Sequence, residues 1–454
     1  MTQEGLKMKK ARLDGLYLML LGSVVFLLLG GVLEQGAATK LVDFRVVYYP
    51  ARCLLQHADP YMESEVLRVY RAEGADSPND SEKVRQIVTR YFYLPTAFSF
   101  TIPFAMLPWW LAASVWMTIT IGSFLFAAFL IWNLGADLSP VLSGVMVGFF
   151  LANSELLIVT GNAAAIAISF SLIAIWCFVR DRFVLAGILC IAVGLALKPH
   201  DTGLVWLYLM LAGGVYRRRA LQSLVATVAL SLPAVLWVWH VSPHWMQELN
   251  ANIAAFAAHG GINDPGVAST GAHGLDMLIS LQAVTGMFWD NPLVYNPVAY
   301  LVCAPLLLVW AFVTLRSRPT PRKVWLALAA IAALTMLPVY HRQNDAKLLL
   351  LTVPACAMLW AEGGAIGWLA VLVNSAGFVL TGDLPWAILL AVINKLHLPA
   401  SGLSAEIAAG VQIFPAPLIL LAVGVFYLWV YARHSSAIAD PAALDLSDTA
   451  GGAR

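Results

Sequence analysis

One acidic residue near the start of the chain, Asp43, is the strongest candidate for chemistry. It lies between Leu41 and Tyr49, shortly after a long apolar run. A carboxylate held where a membrane protein meets water can act as a general base on a hydroxyl group. Asp43 is therefore the predicted catalytic base. The alternative is structural, with Asp43 pairing with Arg45 or capping a short loop helix.

A second group of ionisable residues lies between two strongly apolar runs late in the chain and consists of His341, Arg342, Asp345 and Lys347. Charged groups in such a place are costly unless they pair or bind something polar. The pattern therefore predicts a substrate-binding group that includes Asp345. Arg342 and Lys347 are expected to bind a phosphate, and His341 to orient or assist the base. A solvated turn between two spans is the alternative.

A third group follows an apolar run at Lys198, where Pro199 ends one helix and His200 and Asp201 come next. Lys198 is a candidate phosphate ligand at the level of the lipid headgroups, with His200 beside it in the site. Snorkelling of Lys198 at the end of a span explains the pattern equally well. Glu155 and Asn162 are further candidates for the lining of the same cavity.

The elements that hold these residues belong to a membrane protein. Hydrophobic residues make up 60% of the chain and charged residues 12%, and the mean hydropathy is +0.77. Many apolar runs are long enough to cross a bilayer. The net charge of +1 argues against a nucleic-acid partner. Four of the five cysteines lie in apolar runs and Cys53 in a polar loop, which gives no sign of a disulfide or thiolate metal site.

Short basic loops set the predicted topology, because such loops stay in the cytoplasm. We expect both termini inside and about twelve spans in the cytoplasmic (plasma) membrane. The predicted spans are approximately 16–33, 110–133, 141–160, 163–179, 183–198, 202–216, 221–240, 297–315, 324–340, 346–361, 364–380 and 412–432.

The parity of these spans constrains the remaining segments. Residues 93–108 are predicted to form a re-entrant or surface-lying element, because an extra span would invert everything downstream and two internal prolines disfavour one. By the same reasoning, 384–411 is expected on the outer surface. Two large outer loops remain, at about 35–92 and 242–296, the first with short helices on the membrane. Residues 1–435 form one membrane domain, and 436–454 a disordered cytoplasmic tail.

Several short motifs together resemble the glycosyltransferases of family 87, which have the GT-C type of fold. The residues that carry the resemblance are Asp43, Phe44, Tyr48 and Tyr49, then Ala58-Asp59-Pro60-Tyr61, Tyr91-Phe92-Tyr93-Leu94-Pro95, Gly161-Asn162, Lys198-Pro199-His200-Asp201 and Tyr340-His341-Arg342-Gln343-Asn344-Asp345. They run in the family's order from about residue 16 to 360. The chain departs from the usual family pattern at Pro95-Thr96, at Gly161-Asn162 and at Asn344-Asp345.

This resemblance implies a GT-C-like helical bundle and an enzyme that takes a sugar, with mannose as the type case, from a polyprenyl-phosphate carrier. The acceptor would be a hydroxyl group of a lipid or glycan on the outer side of the membrane, and inversion at the sugar is expected. It also places Tyr48, Tyr93 and Asn162 at the substrate, and implies that no cofactor is needed. Metal use is not expected either, since His259 and His273 lack the close spacing of a structural metal site.

The competing class is a transporter or a flippase for lipid-linked sugars, which would also be a bundle of about twelve spans. A transport pathway would place some ionisable residues near the middle of the membrane. In this chain the predicted topology places them at the outer ends of spans, which favours the enzyme.

Overall fold

The computed structural model of the protein describes residues 3–37, 40–73, 82–266, 277–395 and 409–436. Within them all regular structure is helical, apart from one isolated antiparallel bridge between Leu278 and Arg342. The prediction of an all-α protein is confirmed. The predicted tail from residue 437 onwards, and His273 in the second outer loop, lie outside the described residues.

Twenty helices and two 3-10 helices make up this described part of the chain. The helices before residue 108 are α1 (Gln3–Gly36), α2 (Val42–Leu55), α3 (Glu63–Ala72), α4 (Glu82–Thr89) and α5 (Phe98–Ala105). Those of the middle are α6 (Trp109–Ala136), α7 (Pro140–Leu151), α8 (Leu156–Thr160), α9 (Ala163–Val179), α10 (Val184–Leu197), α11 (Pro199–Ala212), α12 (Gly214–Val241) and α13 (Trp245–Ala257). The last are α14 (Leu281–Gly286), α15 (Pro292–Arg316), α16 (Pro321–Leu334), α17 (Thr352–Glu362), α18 (Gly364–Leu380), α19 (Asp383–Lys395) and α20 (Pro415–Ser436), with 3-10 helices at Pro95–Ala97 and Asp345–Leu351.

Five helices of the described chain are long and apolar enough to cross a membrane: Gly5–Gly36, Trp109–Ala136, Gly214–Val241, Pro292–Arg316 and Ala409–His434. The shortest of them has 25 residues and is about 37 Å long, more than the ~30 Å of a hydrocarbon core. A bent pair, α18 with the first part of α19, gives a sixth if it counts as one span; the chain bends by 55° between the two helices. The chain is thus an all-α protein built for a membrane.

The other predicted spans coincide with shorter helices, and twelve spans remain a prediction. Helices α10, α11 and α16 have 14 residues each, about 21 Å, which is short of a full crossing. Three predicted spans are wrong as single α-helices. The run 141–160 breaks after α7 at residues 152–155, and the run 324–340 leaves the helix after Leu334. The run 346–361 is a 3-10 helix as far as Leu351 and α-helical only from Thr352.

Both predicted outer loops are rich in helix. The first contains α2, α3 and α4, and Cys53 is buried inside α2 and not in a polar loop as its sequence neighbours suggested. Residues 93–108 hold only a 3-10 turn and the eight-residue α5, which is about 12 Å long and cannot cross a bilayer. Whether the segment is re-entrant stays a prediction.

Glycines allow the first helix to approach α7 closely. A Cβ atom on Gly22 would lie 2.0 Å from the carbonyl oxygen of Gly148, and one on Gly144 would lie 2.1 Å from that of Gly15. Such small residues let two helix backbones touch, which is a common way to join helices in lipid. The contact holds α1 against the bundle just before the chain enters α2.

Aromatic packing fixes α2. Phe44 stacks on Trp116 of α6 with ring centroids 4.6 Å apart and on Trp109 at 5.4 Å. Trp116 in turn donates from its indole nitrogen to the carbonyl oxygen of Gly161, at 2.8 Å. The first turn of α2 and the start of α9 are therefore both anchored on α6.

Candidate functional site

Asp43 lies in the first turn of α2 and faces the start of α9. The amide nitrogen of Asn162 donates to Asp43 Oδ2 at 2.7 Å. Asp43 is partly exposed, whereas most of α2 around it is buried. The structural alternative with Arg45 receives little support, because Arg45 donates to the Tyr70 hydroxyl at 2.8 Å and to the carbonyl oxygen of Lys40 at 3.1 Å.

The sequence Gly161-Asn162 explains why this contact forms. Gly161 ends α8 with a φ of +64°, a conformation that favours glycine, and a Cβ there would lie 3.3 Å from Phe44. Asn162 caps α9, since its Oδ1 accepts from the backbone nitrogen of Ala164 at 2.8 Å. With the oxygen used by the cap, the NH₂ group of Asn162 is the part that points to Asp43.

The second and third groups of the sequence meet in space. Lys198 Nζ lies 2.5 Å from Asp345 Oδ1 and 3.2 Å from Asp201 Oδ2, and all three side chains are buried. Asp345 also accepts from the backbone nitrogen of Arg342 at 2.9 Å. Burial alone would raise the pKa of the Asp345 carboxyl, but the adjacent charge of Lys198 outweighs it, so that this pKa lies below its usual value.

Two histidines complete this cluster. The rings of His200 and His341 have centroids 5.3 Å apart, and the Nε2 atoms of both face Asp201 Oδ1, at 3.6 and 3.8 Å. His341 is buried, which lowers its pKa, whereas His200 is exposed. One ligand atom from each of His200, Asp201, His341 and Asp345 lies within 4.8 Å of the others. These four are the residues here that could hold a metal ion.

Arg342 is held by oxygen atoms of other segments. Its guanidinium donates to the Tyr340 hydroxyl at 2.7 Å, to the carbonyl oxygen of Ile262 at 2.6 Å and to Asn263 Oδ1 at 3.1 Å. These contacts position the planar guanidinium. The second outer loop thereby supports the residue predicted to bind phosphate.

Asp43 lies within electrostatic range of Arg342 and Lys198. Burial raises the pKa of the Asp43 carboxyl, while hydrogen bonds from Asn162 and Thr160 and the positive charges of Arg342 and Lys198 lower it; the pKa ends above its ordinary value. The charge of Lys198 also acts on Tyr93. It lowers the pKa of the phenol, whereas burial raises this pKa.

Two of the residues predicted at the substrate are not brought to this site. Lys347 is buried and donates to Asp383 Oδ1 at 2.9 Å and to the carbonyl oxygen of Asn153 at 3.3 Å. Tyr48 is buried among aromatic rings and donates to the carbonyl oxygen of Leu107 at 2.9 Å. Their substrate roles remain predictions, and their observed contacts are those of residues that hold helices together.

The sequence patterns missed two features. Asp201 was noted beside Lys198 but given no role, although it lies at the centre of the cluster between Lys198 and both histidines. Asp383 was not singled out at all, yet it accepts from Lys347 and from the backbone nitrogen of Leu156 at 2.8 Å. An acidic residue directly after the apolar helix α18 was the signal that could have drawn attention to Asp383.

Comparisons of this chain with models of protein families, with curated proteins and with solved structures find no match.

Proposed function

We propose that this chain is a membrane glycosyltransferase of the GT-C type, related to family 87, which transfers a sugar from a polyprenyl-phosphate carrier to a hydroxyl acceptor. One observation carries the proposal. Asp43 contacts Asn162, Lys198 contacts Asp345, and the charges of Lys198 and Arg342 act on Asp43, although these residues are far apart in the sequence. They belong to four of the six motifs on which the family resemblance rests, and their proximity supports the proposal.

The reaction needs a base opposite a leaving phosphate. In the proposed step Asp43 takes the proton of the acceptor hydroxyl while that oxygen forms a bond to the anomeric carbon. The bond from this carbon to the phosphate oxygen breaks, and the polyprenyl phosphate leaves with the electron pair. Because attack and departure occur on opposite faces, the configuration at the sugar inverts.

Asp43 suits the role of base better than Asp345 does. Both oxygens of Asp345 accept strong hydrogen bonds, from Lys198 and from the Arg342 backbone, and its lowered pKa makes it a weak base. Asp43 is partly exposed and its pKa is raised. A carboxylate with a raised pKa takes a proton more readily, provided that it is ionised at the working pH.

Positive charge for the leaving phosphate would come from Arg342 and Lys198. The planar guanidinium of Arg342, which the Tyr340 hydroxyl and the carbonyl oxygen of Ile262 position, suits a bidentate contact with phosphate. Lys198 is a point charge that already pairs with Asp345 and Asp201. We assign the assisting role to His341, whose buried ring lies in the same cluster.

A transporter or a flippase for lipid-linked sugars is the second candidate, and a particular observation favours it. Glu155 is buried at the break between α7 and α8, and the buried pair of Lys347 and Asp383 lies at the bend between α18 and α19. Broken helices with buried charges are typical of transport pathways. The transferase and the transporter therefore place their functional residues in different parts of the molecule.

An experiment in cells separates them. In a strain that lacks the protein, loss of a transferase leaves its polyprenyl-phosphate sugar in the outer leaflet of the membrane, whereas loss of a flippase leaves it in the inner leaflet. Labelled carrier lipid in the two leaflets is distinguished by its accessibility to an impermeant glycosidase. We expect accumulation in the outer leaflet, loss of a glycan from the cell envelope, and rescue by wild type but not by Asp43→Asn. Accumulation in the inner leaflet would reject the transferase.

A further inference from the structure

In the buried cluster around Asp201, oxygen and nitrogen atoms with free lone pairs outnumber the N–H groups that donate to them. The two oxygens of Asp201 accept no well-directed hydrogen bond from the described residues. His341 Nε2 also has no hydrogen-bond partner among these residues. Buried polar atoms without partners are uncommon, because each costs the full desolvation of the group. An arrangement that leaves several of them together points to a ligand.

The tautomer of His341 sharpens this point. Its Nδ1 lies 3.1 Å from the carbonyl oxygen of Val339, and a carbonyl oxygen can only accept, so Nδ1 carries the ring proton. Nε2 of the neutral ring then presents a lone pair. A histidine that ligates a metal through one nitrogen usually donates from the other nitrogen in this way.

Three atoms with lone pairs converge on one point. Asp201 Oδ1 lies 3.6 Å from His200 Nε2 and 3.8 Å from His341 Nε2. Lys198 occupies the other side of the carboxylate, 3.2 Å from Oδ2. The ammonium group therefore does not lie between the histidines and Asp201, and the lone pairs face one another.

We propose that His200, Asp201 and His341 bind a divalent transition-metal ion, with Asp345 beside it, since both oxygens of Asp345 already accept hydrogen bonds. Ligand atoms placed ~2.1 Å from a tetrahedral metal lie about 3.4 Å apart, so the observed 3.6 and 3.8 Å separations need to close by only a few tenths of an ångström. Two imidazole ligands and one carboxylate favour Zn²⁺ or Mn²⁺ over Mg²⁺ and Ca²⁺, which prefer oxygen alone. The ion shares His341 with the proposed transferase, but its binding is measured without the transfer reaction.

The charges of the cluster are compatible with such an ion. Lys198 is shared between two carboxylates, since it pairs with both Asp201 and Asp345. A cation on the other side of Asp201 gives Oδ1 of this residue and Nε2 of His341 the partner that both lack.

A second group, His259 with Asp264 and Asp290, has ligand atoms equally close together. Both oxygens of Asp264 are already used, however, since they accept from the backbone nitrogens of Gly260 and Gly266 at 2.8 and 2.9 Å. His259 is largely exposed. This group has no unpartnered buried atom, and it serves as the control.

The test is metal binding to the purified full-length protein after treatment with a chelator. Free Mn²⁺ is followed by electron paramagnetic resonance, and Zn²⁺ by competition with bound Mn²⁺. We expect one site per chain, and roughly a hundredfold weaker binding or more in His200→Ala and in Asp201→Asn. His240→Ala, which removes an exposed histidine of α12, should bind as wild type does.

His200 is exposed, so that its substitution keeps the fold and the result does not depend on the more buried Asp201. A wild-type protein that binds Mn²⁺ and Zn²⁺ no more tightly than His200→Ala would overturn the proposal. So would a site that is lost in His259→Ala but kept in Asp201→Asn. Equal affinity for Ca²⁺ and Zn²⁺ would reject the participation of the imidazoles.

Discussion

Replacement of Asp43 by asparagine isolates the chemistry of the proposed base. Asparagine has nearly the same shape, and its oxygen can still accept from the amide of Asn162, which lies 2.7 Å from Asp43 Oδ2 in the wild type. The substitution therefore keeps the contact between α2 and α9 and removes only the basic group. General-base catalysis contributes about 10²–10⁴-fold, or about 3–5 kcal/mol of barrier. We expect sugar transfer to fall by roughly a hundredfold or more.

The assay uses purified protein in lipid vesicles with a radiolabelled polyprenyl-phosphate sugar, and it measures kcat and KM. A loss that lies in kcat, with an unchanged melting temperature, is the expected pattern. Asp290→Asn is the matched control, because Asp290 faces His259 in the second outer loop and has no role in the proposed reaction. Transfer by Asp43→Asn within about threefold of wild type would refute the assignment.

The dependence of the rate on pH tests the same residue. The base must be ionised, so activity falls as the pH drops through the pKa of Asp43, which lies above its ordinary value of 3.8. Serine at position 162 can still cap α9 but is too short to donate to Asp43. Since the Asn162 hydrogen bond lowers the pKa of Asp43, we expect Asn162→Ser to move the acidic limb of the profile to higher pH. A shift to lower pH would contradict this.

Three further predictions concern the surroundings of Asp43. Arg342→Ala should raise KM for the donor more than it lowers kcat, with the deficit partly relieved at high donor concentration, because a charge-assisted phosphate contact is lost; an unchanged KM would argue against that contact. Lys347→Met should destabilise the protein by about 3–5 kcal/mol, because it leaves Asp383 buried and unpaired, and adding Asp383→Asn should restore much of the stability in a thermal unfolding measurement. In intact cells an impermeant thiol reagent should label a cysteine at the exposed position 259 but not one at 318; the five native cysteines give little background because four are buried and one partly so, and the reverse labelling would place Asp43 in the cytoplasm.

The residues of the site could be found from the sequence, but their meeting could not. Asp43 and Lys198 each stood out as ionisable groups at the ends of apolar runs. The sequence separation of His200 and His341 is 141 residues, and no local pattern indicates that two such segments touch. Only the tertiary packing of α11 against the loop before residue 345 joins them. Because the two histidines are so far apart in the sequence, the spacing of metal ligands along the chain could not predict the cluster.

Local helix geometry turns Lys347 and Tyr48 away from the cluster. Residues Asp345–Leu351 form a 3-10 helix, in which two residues that are two positions apart lie about 120° apart around the axis. Lys347 therefore points to Asp383 and not to the side of Asp345 that faces Lys198. On α2, Tyr48 is five positions after Asp43, which corresponds to about 140° around the helix axis. Tyr48 turns into the aromatic core while Asp43 faces Asn162.

The apolar runs predicted the positions of the helices better than their lengths. The run 141–160 is apolar enough for a span, yet the chain leaves the helix at its three consecutive polar residues, Asn153, Ser154 and Glu155. Hydropathy averages hide such an interruption, because the apolar residues on both sides dominate the window. The break is where Asp383 accepts from the backbone of Leu156, a contact that no window could reveal.

The configuration of the transferred sugar tests the central proposal most directly. Purified wild-type protein is placed in vesicles with a labelled polyprenyl-phosphate sugar and a hydroxyl acceptor from an envelope extract. We expect the label to leave the carrier and to appear on the acceptor with the anomeric configuration opposite to that of the donor. Label that stays on its carrier and moves from one leaflet to the other would contradict it.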